Sequence, residues 1–227
     1  MLKVTNLEME YVDVTRPLTI FKGVNLELEK GKSVAIVGQS GVGKTSLLYL
    51  LGGLEVPKSG EIYLDEISYS GLRPKKNGLS SFRGENIGFV FQFHHLLPEF
   101  SAVENVAMPL IIKGENRNVA EGKAENLLNK LGLKDRLGHR PSMLSGGEQQ
   151  RVAILRACIT NPKLILADEP TGNLDGGTAF EVFALLKDLQ LEFNISLVVV
   201  THSLELAKKL DFMYELKADG LRNLSKI

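Results

Sequence analysis

The segment from residue 38 to residue 45 has the residue types and spacing of a phosphate-binding loop. It matches the whole pattern G-x-x-x-x-G-K-[ST] with Gly38, Gln39, Ser40, Gly41, Val42, Gly43, Lys44 and Thr45. The glycines let backbone N–H groups surround a β-phosphate, the lysine neutralises phosphate oxygens, and the threonine hydroxyl binds Mg²⁺. An apolar run precedes the loop and a helical run over 46–51 follows it, which disfavours an ordinary glycine-rich turn. The pattern predicts a site for a nucleoside triphosphate with Mg²⁺.

Two acidic residues follow another apolar run. The run 163–167 ends in Asp168 and Glu169, and Pro170 comes next. We predict that Asp168 holds Mg²⁺ through a water molecule and that Glu169 accepts the proton of the attacking water. His202, after a third apolar run, can orient that water and Glu169 or stabilise charge on the transferred phosphoryl group. The alternatives are a solvated strand end for the carboxylates and a structural role for the histidine.

Two further segments carry groups that suit a metal ion or a phosphate. Gln92 ends the strand-like run 87–91, and its amide oxygen is a suitable ligand for Mg²⁺ or water, with a surface glutamine as the alternative. The run 144–151 reads Leu-Ser-Gly-Gly-Glu-Gln-Gln-Arg and places two glycines at a helix start, where uncovered N–H groups favour negative charge. Ser145 with Glu148 also matches a capping box, so an ordinary helix start is the alternative here.

Three short apolar runs predict the strands that must position these side chains. They cover 33–37, 164–167 and 195–200, and each is nearly continuous in apolar residues, as in parallel strands covered on both faces. Polar residues follow each run, and ligands of open α/β sheets bind at the carboxyl ends of the strands. A helical pattern over 179–191 lies between the last two runs.

The other segments indicate two smaller subdomains. The first 30 residues and 60–69 alternate in polarity, which predicts antiparallel strands, with turns at Gly23, Gly31 and Gly60. The region 93–158 predicts helices that start at Ser101 and Ser145 and a polar helix near 119–131. The predicted fold class is α/β: a P-loop NTPase with a RecA-like, mostly parallel sheet, an antiparallel β subdomain and an inserted helical subdomain.

Composition excludes several other classes of protein. The chain has 227 residues, and its 27 Lys plus Arg balance 27 Asp plus Glu, so no basic surplus suggests a nucleic acid partner. Its one cysteine, Cys158, cannot form an intramolecular disulfide and indicates a reducing compartment; we expect it to be buried. The N-terminus is acidic where a signal peptide is apolar, and the apolar runs are too short to span a bilayer. We expect a cytoplasmic chain that acts at a membrane only through another polypeptide.

The order of these motifs resembles that of ABC-transporter ATPases over essentially the whole chain. The resemblance implies a single ABC ATP-binding domain over 1–227 that hydrolyses ATP with Mg²⁺. Within it, 1–92 and 159–227 would form the core with the antiparallel subdomain, and 93–158 the helical signature subdomain.

The resemblance also implies a role for each matching position. It places Lys44 and Thr45, with Ser46 after them, in Walker A, Gln92 in the Q-loop, Ser145, Gly146 and Gly147 in the signature motif, Asp168 and Glu169 in Walker B, and Asp175 in the D-loop. His202 is then the switch histidine, and Tyr11 is the aromatic residue stacked on adenine, with an ordinary strand tyrosine as the alternative. The chain departs from the usual pattern at Ser203, which replaces an aspartate and can equally cap the next helix.

The partners implied by the resemblance are a second copy and a membrane protein. Two ATP molecules would lie in a head-to-tail homodimer, each between Walker A of one chain and Ser145 and Gly147 of the other. Integral inner-membrane transporter subunits would dock in a groove near Gln92 and between Phe93 and Leu97. The chain is therefore expected as a peripheral protein on the cytoplasmic face of the inner membrane, with no nucleic acid partner.

Residues beside that groove carry a closer resemblance. Segments 92–100 and 104–110 look like those of ATPases that power lipoprotein release, whereas 167–175 is shared with macrolide-export, peptide-export and cell-division (FtsE-type) relatives, which are the alternative.

ABC proteins acting on DNA or ribosomes are disfavoured, because these tend to carry long coiled-coil insertions or tandem cassettes. A binding module without turnover is disfavoured by Glu169 and His202. His94 and His95 lack a third ligand in the sequence, which disfavours a zinc site.

Overall fold

The computed structural model describes residues 1–12 and 17–225 of the chain. The chain divides into two compact units. We call the unit made of Met1–Arg83, Leu166–Glu169 and Ser196–Ile227 the first unit, and that made of Gly84–Ile165 and Pro170–Ile195 the second unit. The boundaries predicted for the core and the helical signature subdomain stay a prediction.

The described residues form both strands and α-helices. The strands are β1 (Leu2–Val12), β2 (Pro17–Leu28), β3 (Ser33–Val37), β4 (Ser59–Leu64), β5 (Ile67–Ser68), β6 (Ile87–Val90), β7 (Leu164–Asp168), β8 (Ser196–Val200), β9 (Phe212–Lys217) and β10 (Gly220–Asn223). The α-helices are α1 (Lys44–Leu51), α2 (Tyr69–Leu72), α3 (Gly78–Asn86), α4 (Ala102–Ile112), α5 (Arg117–Lys130), α6 (Gly146–Cys158), α7 (Gly176–Glu192) and α8 (Leu204–Ala207). Within the described ranges, no helix combines the length and the apolar character needed to span a bilayer.

The larger sheet has the strand order β10-β9-β3-β8-β7-β6. Strand β3 pairs in parallel with β8, where Ser33 lies opposite Leu197 and Ile36 opposite Val200, and in parallel with β9. All five side chains of β3 and of β8 are buried, which explains why their sequences do not alternate in polarity. The carboxyl ends of β3 and β8 therefore meet at one edge of the sheet, where the phosphate loop and His202 follow them.

The smaller sheet is antiparallel, with the order β2-β1-β4-β5. The turns predicted at two glycines are wrong, because Gly23 lies within β2 and Gly60 within β4, with φ of 69° and 89°. A side chain at Gly60 would overlap with the backbone of Asn6 and Leu7, beside a shift in the pairing register of β1 and β4. Both glycines thus occupy irregular positions inside strands: the positive φ disfavours other residues at each, and at Gly60 the neighbouring backbone also leaves no room for a side chain.

Two helices of the second unit begin as the sequence predicts. The hydroxyl of Ser101 accepts from the Glu104 N–H at 3.2 Å, and the Glu104 carboxylate accepts from the Ser101 N–H at 2.8 Å. Ser145 and Glu148 make the same reciprocal pair at the start of α6. Helix α6 packs on β6, where Gly88 leaves no room for a side chain because a Cβ would overlap with the Ala157 backbone. This close packing positions the segment that follows β6.

Candidate active site

The loop between β3 and α1 has a conformation that favours glycine at three positions. Gly38, Gly41 and Gly43 have φ of 154°, 80° and 99°. A side chain at Gly43 would overlap with Ile20, so this position also requires glycine for space. Helix α1 begins at Lys44 with no side-chain cap, which leaves the first N–H groups of the helix to an anion. The loop therefore has the backbone features of a phosphate cradle.

The ammonium group of Lys44 lies against this loop. Its Nζ donates to the carbonyl oxygens of Gly38 at 2.9 Å and Gln39 at 3.0 Å. Phosphate oxygens are stronger acceptors for an ammonium group than neutral carbonyls are. The lysine is thus held where it can exchange these carbonyls for the oxygens of a phosphate bound in the loop.

Thr45 and Asp168 meet at the end of the sheet. The Thr45 hydroxyl donates to Asp168 Oδ2 at 2.8 Å, across 123 residues of sequence. Burial raises the pKa of Asp168 above its usual value; the Thr45 hydrogen bond opposes the rise and the nearby Glu169 charge adds to it. A hydroxyl and a carboxylate in contact are oxygen ligands of the kind Mg²⁺ takes, and a cation here would favour the charged form of Asp168.

The two predicted catalytic residues also meet in the first unit. His202 Nδ1 lies 2.9 Å from Glu169 Oε2, and the same oxygen accepts from the His202 N–H at 3.3 Å. Glu169 has a φ of 44°, and its N–H donates to the Val200 carbonyl at 2.9 Å, so its backbone is fixed in the left-handed region. The Glu169 side chain is mostly buried and that of His202 is exposed. Ser203 caps α8 as predicted, by accepting from the Leu206 N–H at 3.4 Å.

Tyr11 is the predicted aromatic residue near the N-terminus. It is 42% exposed, and its hydroxyl lies 3.1 Å from Ser46 Oγ and 3.0 Å from Glu55 Oε2. Burial raises the pKa of the Tyr11 hydroxyl, which therefore stays neutral and donates to the Glu55 carboxylate. These hydrogen bonds hold the exposed Tyr11 ring beside Ser46, which directly follows Thr45. The sequence did not predict Glu55 as its partner, because the contact joins two segments 44 residues apart.

Gln92 lies in the second unit and is paired with Asn173. Its Nε2 donates to Asn173 Oδ1 at 3.1 Å, and Asn173 Nδ2 donates to the Gln92 carbonyl oxygen at 3.2 Å. Asn173 belongs to the Asn-Leu-Asp string that ends in the predicted D-loop residue. The amide oxygen of Gln92 is not used in this pair, so the side chain keeps the acceptor predicted to bind metal or water. The reciprocal pair itself was not predicted, because 81 residues separate its members.

The signature residues form the start of α6. Ser145 and Gly146 are exposed, whereas Gly147 is buried against Thr178, whose Cγ2 would lie 2.5 Å from a Cβ at that position. Asp175 caps α7 by accepting from the Thr178 N–H at 3.0 Å. This hydrogen bond lowers the pKa of Asp175, so its carboxylate is charged at neutral pH. The predicted signature motif and D-loop residue thus lie at the N-termini of α6 and α7, which are adjacent.

An apolar groove of about 380 Å³ lies in the second unit. Residues that line it include Phe89, Leu97, Met108, Ile112, Lys113 and Arg156. The Arg156 guanidinium donates to the carbonyl oxygens of His95 at 2.7 Å and His94 at 2.8 Å, which fixes the loop beside the groove. The sequence drew attention to 92–100 and 104–110 but did not predict Arg156, which the chain supplies from the far end of α6.

Comparison with known proteins identifies the family of the chain. The profile of the ABC transporter family matches residues 21–172. The chain belongs to the ABC transporter family. The lipoprotein-releasing system ATP-binding protein LolD of Saccharophagus degradans is 47% identical over 97% of this chain and 96% of that protein. The LolD of Acinetobacter baylyi is 46% identical over 97% and 96% of the two chains.

A solved ABC cassette has the same fold. The dimeric structure of the cassette MJ0796 in a post-hydrolysis state, bound to ADP and phosphate, is 38% identical and matches with a TM-score of 0.88 over 98% of this chain and 97% of that one. The predicted fold class is confirmed by this match. The predicted ABC-type ATP hydrolase is confirmed by the family, and nucleotide binding with it.

Proposed function

We propose that this ABC ATPase powers the release of lipoproteins from the inner membrane toward the outer membrane. The observation that carries the chemistry is the cluster in the first unit, where Thr45 contacts Asp168 and Glu169 contacts His202 beside the phosphate loop. The choice of substrate is supported by the LolD relatives, which align with this chain over almost its whole length.

The residues of the first unit divide the hydrolysis of ATP among them. The phosphate loop and Lys44 bind the β- and γ-phosphates, and Thr45 and Asp168 would hold Mg²⁺, which neutralises charge on the phosphates. Glu169 accepts a proton from the attacking water, and His202 keeps the Glu169 carboxylate in place and faces solvent, where it can stabilise charge on the phosphoryl group. The exposed ring of Tyr11 stacks on adenine.

We propose that the working form is a homodimer with two ATP molecules between the copies. The exposed Ser145 hydroxyl and the N–H groups of Gly146 and Gly147 at the start of α6 suit a phosphate presented by a second chain. Asp175, at the start of α7, lies beside this surface and would contact the partner copy. The dimer of the MJ0796 cassette supports this arrangement.

The apolar groove of the second unit is the proposed docking site for the integral inner-membrane subunits. Of its lining residues, Ile112 is 78% exposed and Leu97 37% exposed, and the neighbouring Phe93 is 66% exposed. Together they form an apolar surface that a helix of another polypeptide can bury. Docking there would hold the chain at the cytoplasmic face of the inner membrane as a peripheral protein. Phe93 and Leu97 flank the loop that Arg156 fixes, so the groove has a rigid edge.

The substrate and the partners are tested by capture of the ATP-bound complex. Tagged protein with Glu169→Gln, incubated with ATP and detergent-solubilised membranes of the source organism, should co-purify with lipoproteins and with membrane proteins that have large periplasmic domains. A parallel capture with Lys44→Ala, which cannot hold ATP, controls for non-specific binding. Recovery of a cell-division membrane subunit or a drug or peptide exporter instead would leave the ATP chemistry intact and overturn the lipoprotein assignment.

Replacing Tyr11 should weaken ATP binding without stopping hydrolysis. Tyr11→Ala removes the stacking ring, so the Km for ATP should rise by about 5- to 50-fold while kcat changes little, since base–aromatic stacking contributes about 1–3 kcal/mol. Tyr11→Phe keeps the ring and removes only the bonds to Ser46 and Glu55, and should keep most of the affinity. Steady-state ATPase titrations of both variants decide between stacking and a merely structural tyrosine, for which Ala and Phe would have equally small effects on the Km.

Replacing Asp168 should stabilise the nucleotide-free protein and abolish its activity. Because burial raises the pKa of Asp168 in the folded protein, the folded state holds this proton more tightly than the unfolded chain does. The contribution of Asp168 to the free energy of unfolding therefore falls as the pH rises from the pKa of Asp168 in the unfolded chain to its higher pKa in the folded protein. Asp168→Asn should have a higher Tm than the parent at neutral pH, a difference that shrinks in acid, and an ATPase rate lower by at least about 100-fold.

Thermal unfolding without nucleotide over a range of pH checks this prediction. Asp219→Asn is the matched control, since Asp219 is exposed in an ion pair with Arg222 and its loss should leave both the Tm and the rate nearly unchanged. A Tm of Asp168→Asn that is lower than that of the parent at neutral pH would contradict the prediction.

A further inference from the structure

The start of α6 carries a carboxylate close to the proposed phosphate position. Glu148 Oε2 accepts from the Ser145 N–H at 2.8 Å, and Glu148 Oε1 accepts from Arg136 Nε at 2.7 Å. The hydrogen bond from Arg136, followed by that from Ser145, lowers the pKa of Glu148. The carboxylate is therefore charged at neutral pH, and Arg136 is its counter-ion.

A charge at this place conflicts with the proposed function of the helix start. The N–H groups of Gly146 and Gly147 favour a negative ligand, but the carboxylate of Glu148, which lies at the same helix start, repels the phosphates of ATP. Only about a quarter of the Glu148 side chain is exposed, so water screens its charge incompletely. The guanidinium of Arg136 offsets this charge and fixes the direction in which the carboxylate points.

We propose that Arg136 is a positioning residue of the signature motif: it neutralises Glu148 so that the N-terminus of α6 can bind the γ-phosphate of ATP held by a second copy of the chain. The inference rests on the proposed role of Ser145 in the dimer. It adds a residue nine positions before Ser145, on the 3-10 turn Lys134–Arg136, that no motif in the sequence marks.

The second unit contains a matched arrangement that has no place in the proposed nucleotide site. At the start of α4, Glu104 accepts from the Ser101 N–H at 2.8 Å, and Arg117 Nη2 donates to Glu104 Oε1 at 2.6 Å. Serine, glutamate and arginine thus have the same roles at α4 as at α6. Arg117 also donates from Nε to Glu121 Oε1 at 2.6 Å, so Arg117→Gln measures the cost of losing both of these ion pairs in a part of the chain away from the proposed ATP site. Arg136→Gln measures the cost of losing the ion pair with Glu148 together with any effect on ATP.

The test measures the ATP concentration at which half of the protein is dimeric, by analytical ultracentrifugation in the Glu169→Gln background, where hydrolysis should be slow. Arg136→Gln should raise this concentration by about 3- to 10-fold, as expected for one uncompensated charge near a helix N-terminus. The double variant Arg136→Gln/Glu148→Gln should return to within about twofold of the parent, because it has neither charge and glutamine can still make the capping bond. Raised salt should shrink the defect of Arg136→Gln, and Arg117→Gln should dimerise at the parent's ATP concentration.

Several outcomes would overturn the proposal. If the double variant keeps the full defect of Arg136→Gln, or if that defect is equal in Arg117→Gln, the arginine acts through packing and not through charge. If Arg136→Gln unfolds, Arg136→Lys takes its place: it keeps the charge and should dimerise within about twofold of the parent, and a large defect would count against the proposal. Ser145→Arg distinguishes a failure of the proposed function from a failure of this inference alone. If it dimerises normally, the proposed function of the signature fails; if it blocks dimerisation while Arg136→Gln has no effect, only this inference fails.

Discussion

Replacement of Glu169 by glutamine should lower the rate of ATP hydrolysis by about 100- to 10,000-fold and leave ATP binding intact. Glutamine keeps the size of the side chain and can still contact His202, but it cannot accept a proton from water. The ATP-bound dimer should then accumulate, because the step that reopens it is removed. Phosphate release measures the first effect, and size-exclusion chromatography with and without ATP measures the second.

A carboxylate of the same unit serves as the control for this substitution. Glu215 lies on β9 in a partly exposed ion pair with Lys217, so Glu215→Gln should change neither the rate nor the dimer. Turnover by Glu169→Gln at the parent's rate would remove Glu169 from its proposed role. Loss of ATP binding together with hydrolysis would indicate that the substitution had disturbed the strained backbone at this position, where φ is 44°.

Ser145→Arg should abolish ATP-dependent dimerisation and lower the rate of hydrolysis by at least about 100-fold. The position is exposed at the start of α6, so a long cation would fill the space that a phosphate of the partner's ATP must enter. Walker A lies in the first unit and is not altered, so a single chain should still bind ATP with the parent's affinity. Fluorescent nucleotide binding and sedimentation of the ATP-bound protein separate these two effects.

The loss of the helix cap needs its own control. Ser145 accepts from the Glu148 N–H, and losing such a cap costs about 1 kcal/mol of stability. Ser101→Ala removes the corresponding cap of α4 and should lower stability by a similar amount, with hydrolysis and dimerisation retained. Normal dimerisation of Ser145→Arg would refute the proposal that this motif binds ATP in trans.

Features that depend on neighbours in the chain were predicted well. The phosphate loop was predicted because its glycines and its lysine lie within eight consecutive residues, whose spacing alone determines the backbone they can adopt. The capping boxes of α4 and α6 were predicted for the same reason, since their partners lie three residues apart. The buried strands β3 and β8 could be predicted from continuous apolar runs.

The prediction failed where a local signal has two structural meanings. Gly23 and Gly60 were assigned to turns, yet both lie inside strands with positive φ. A glycine marks a backbone that other residues disfavour, and a β-bulge meets that description as well as a turn does. Helix α3 was not predicted, because it begins at Gly78, contains Gly84 in its interior and has no clear apolar face.

The sequence by itself determined the family and the ABC-type ATP hydrolase activity, and it supplied the candidate site side chains, because the motifs consist of short strings whose backbone geometry is local. Only the tertiary structure decided which of these side chains meet. Thr45 with Asp168, Glu169 with His202 and Gln92 with Asn173 join residues that are 123, 33 and 81 positions apart. Arg156, which lines the apolar groove, and Arg136, which pairs with Glu148, belong to no sequence motif. Their roles depend on packing between distant segments, which residue spacing along the chain does not encode.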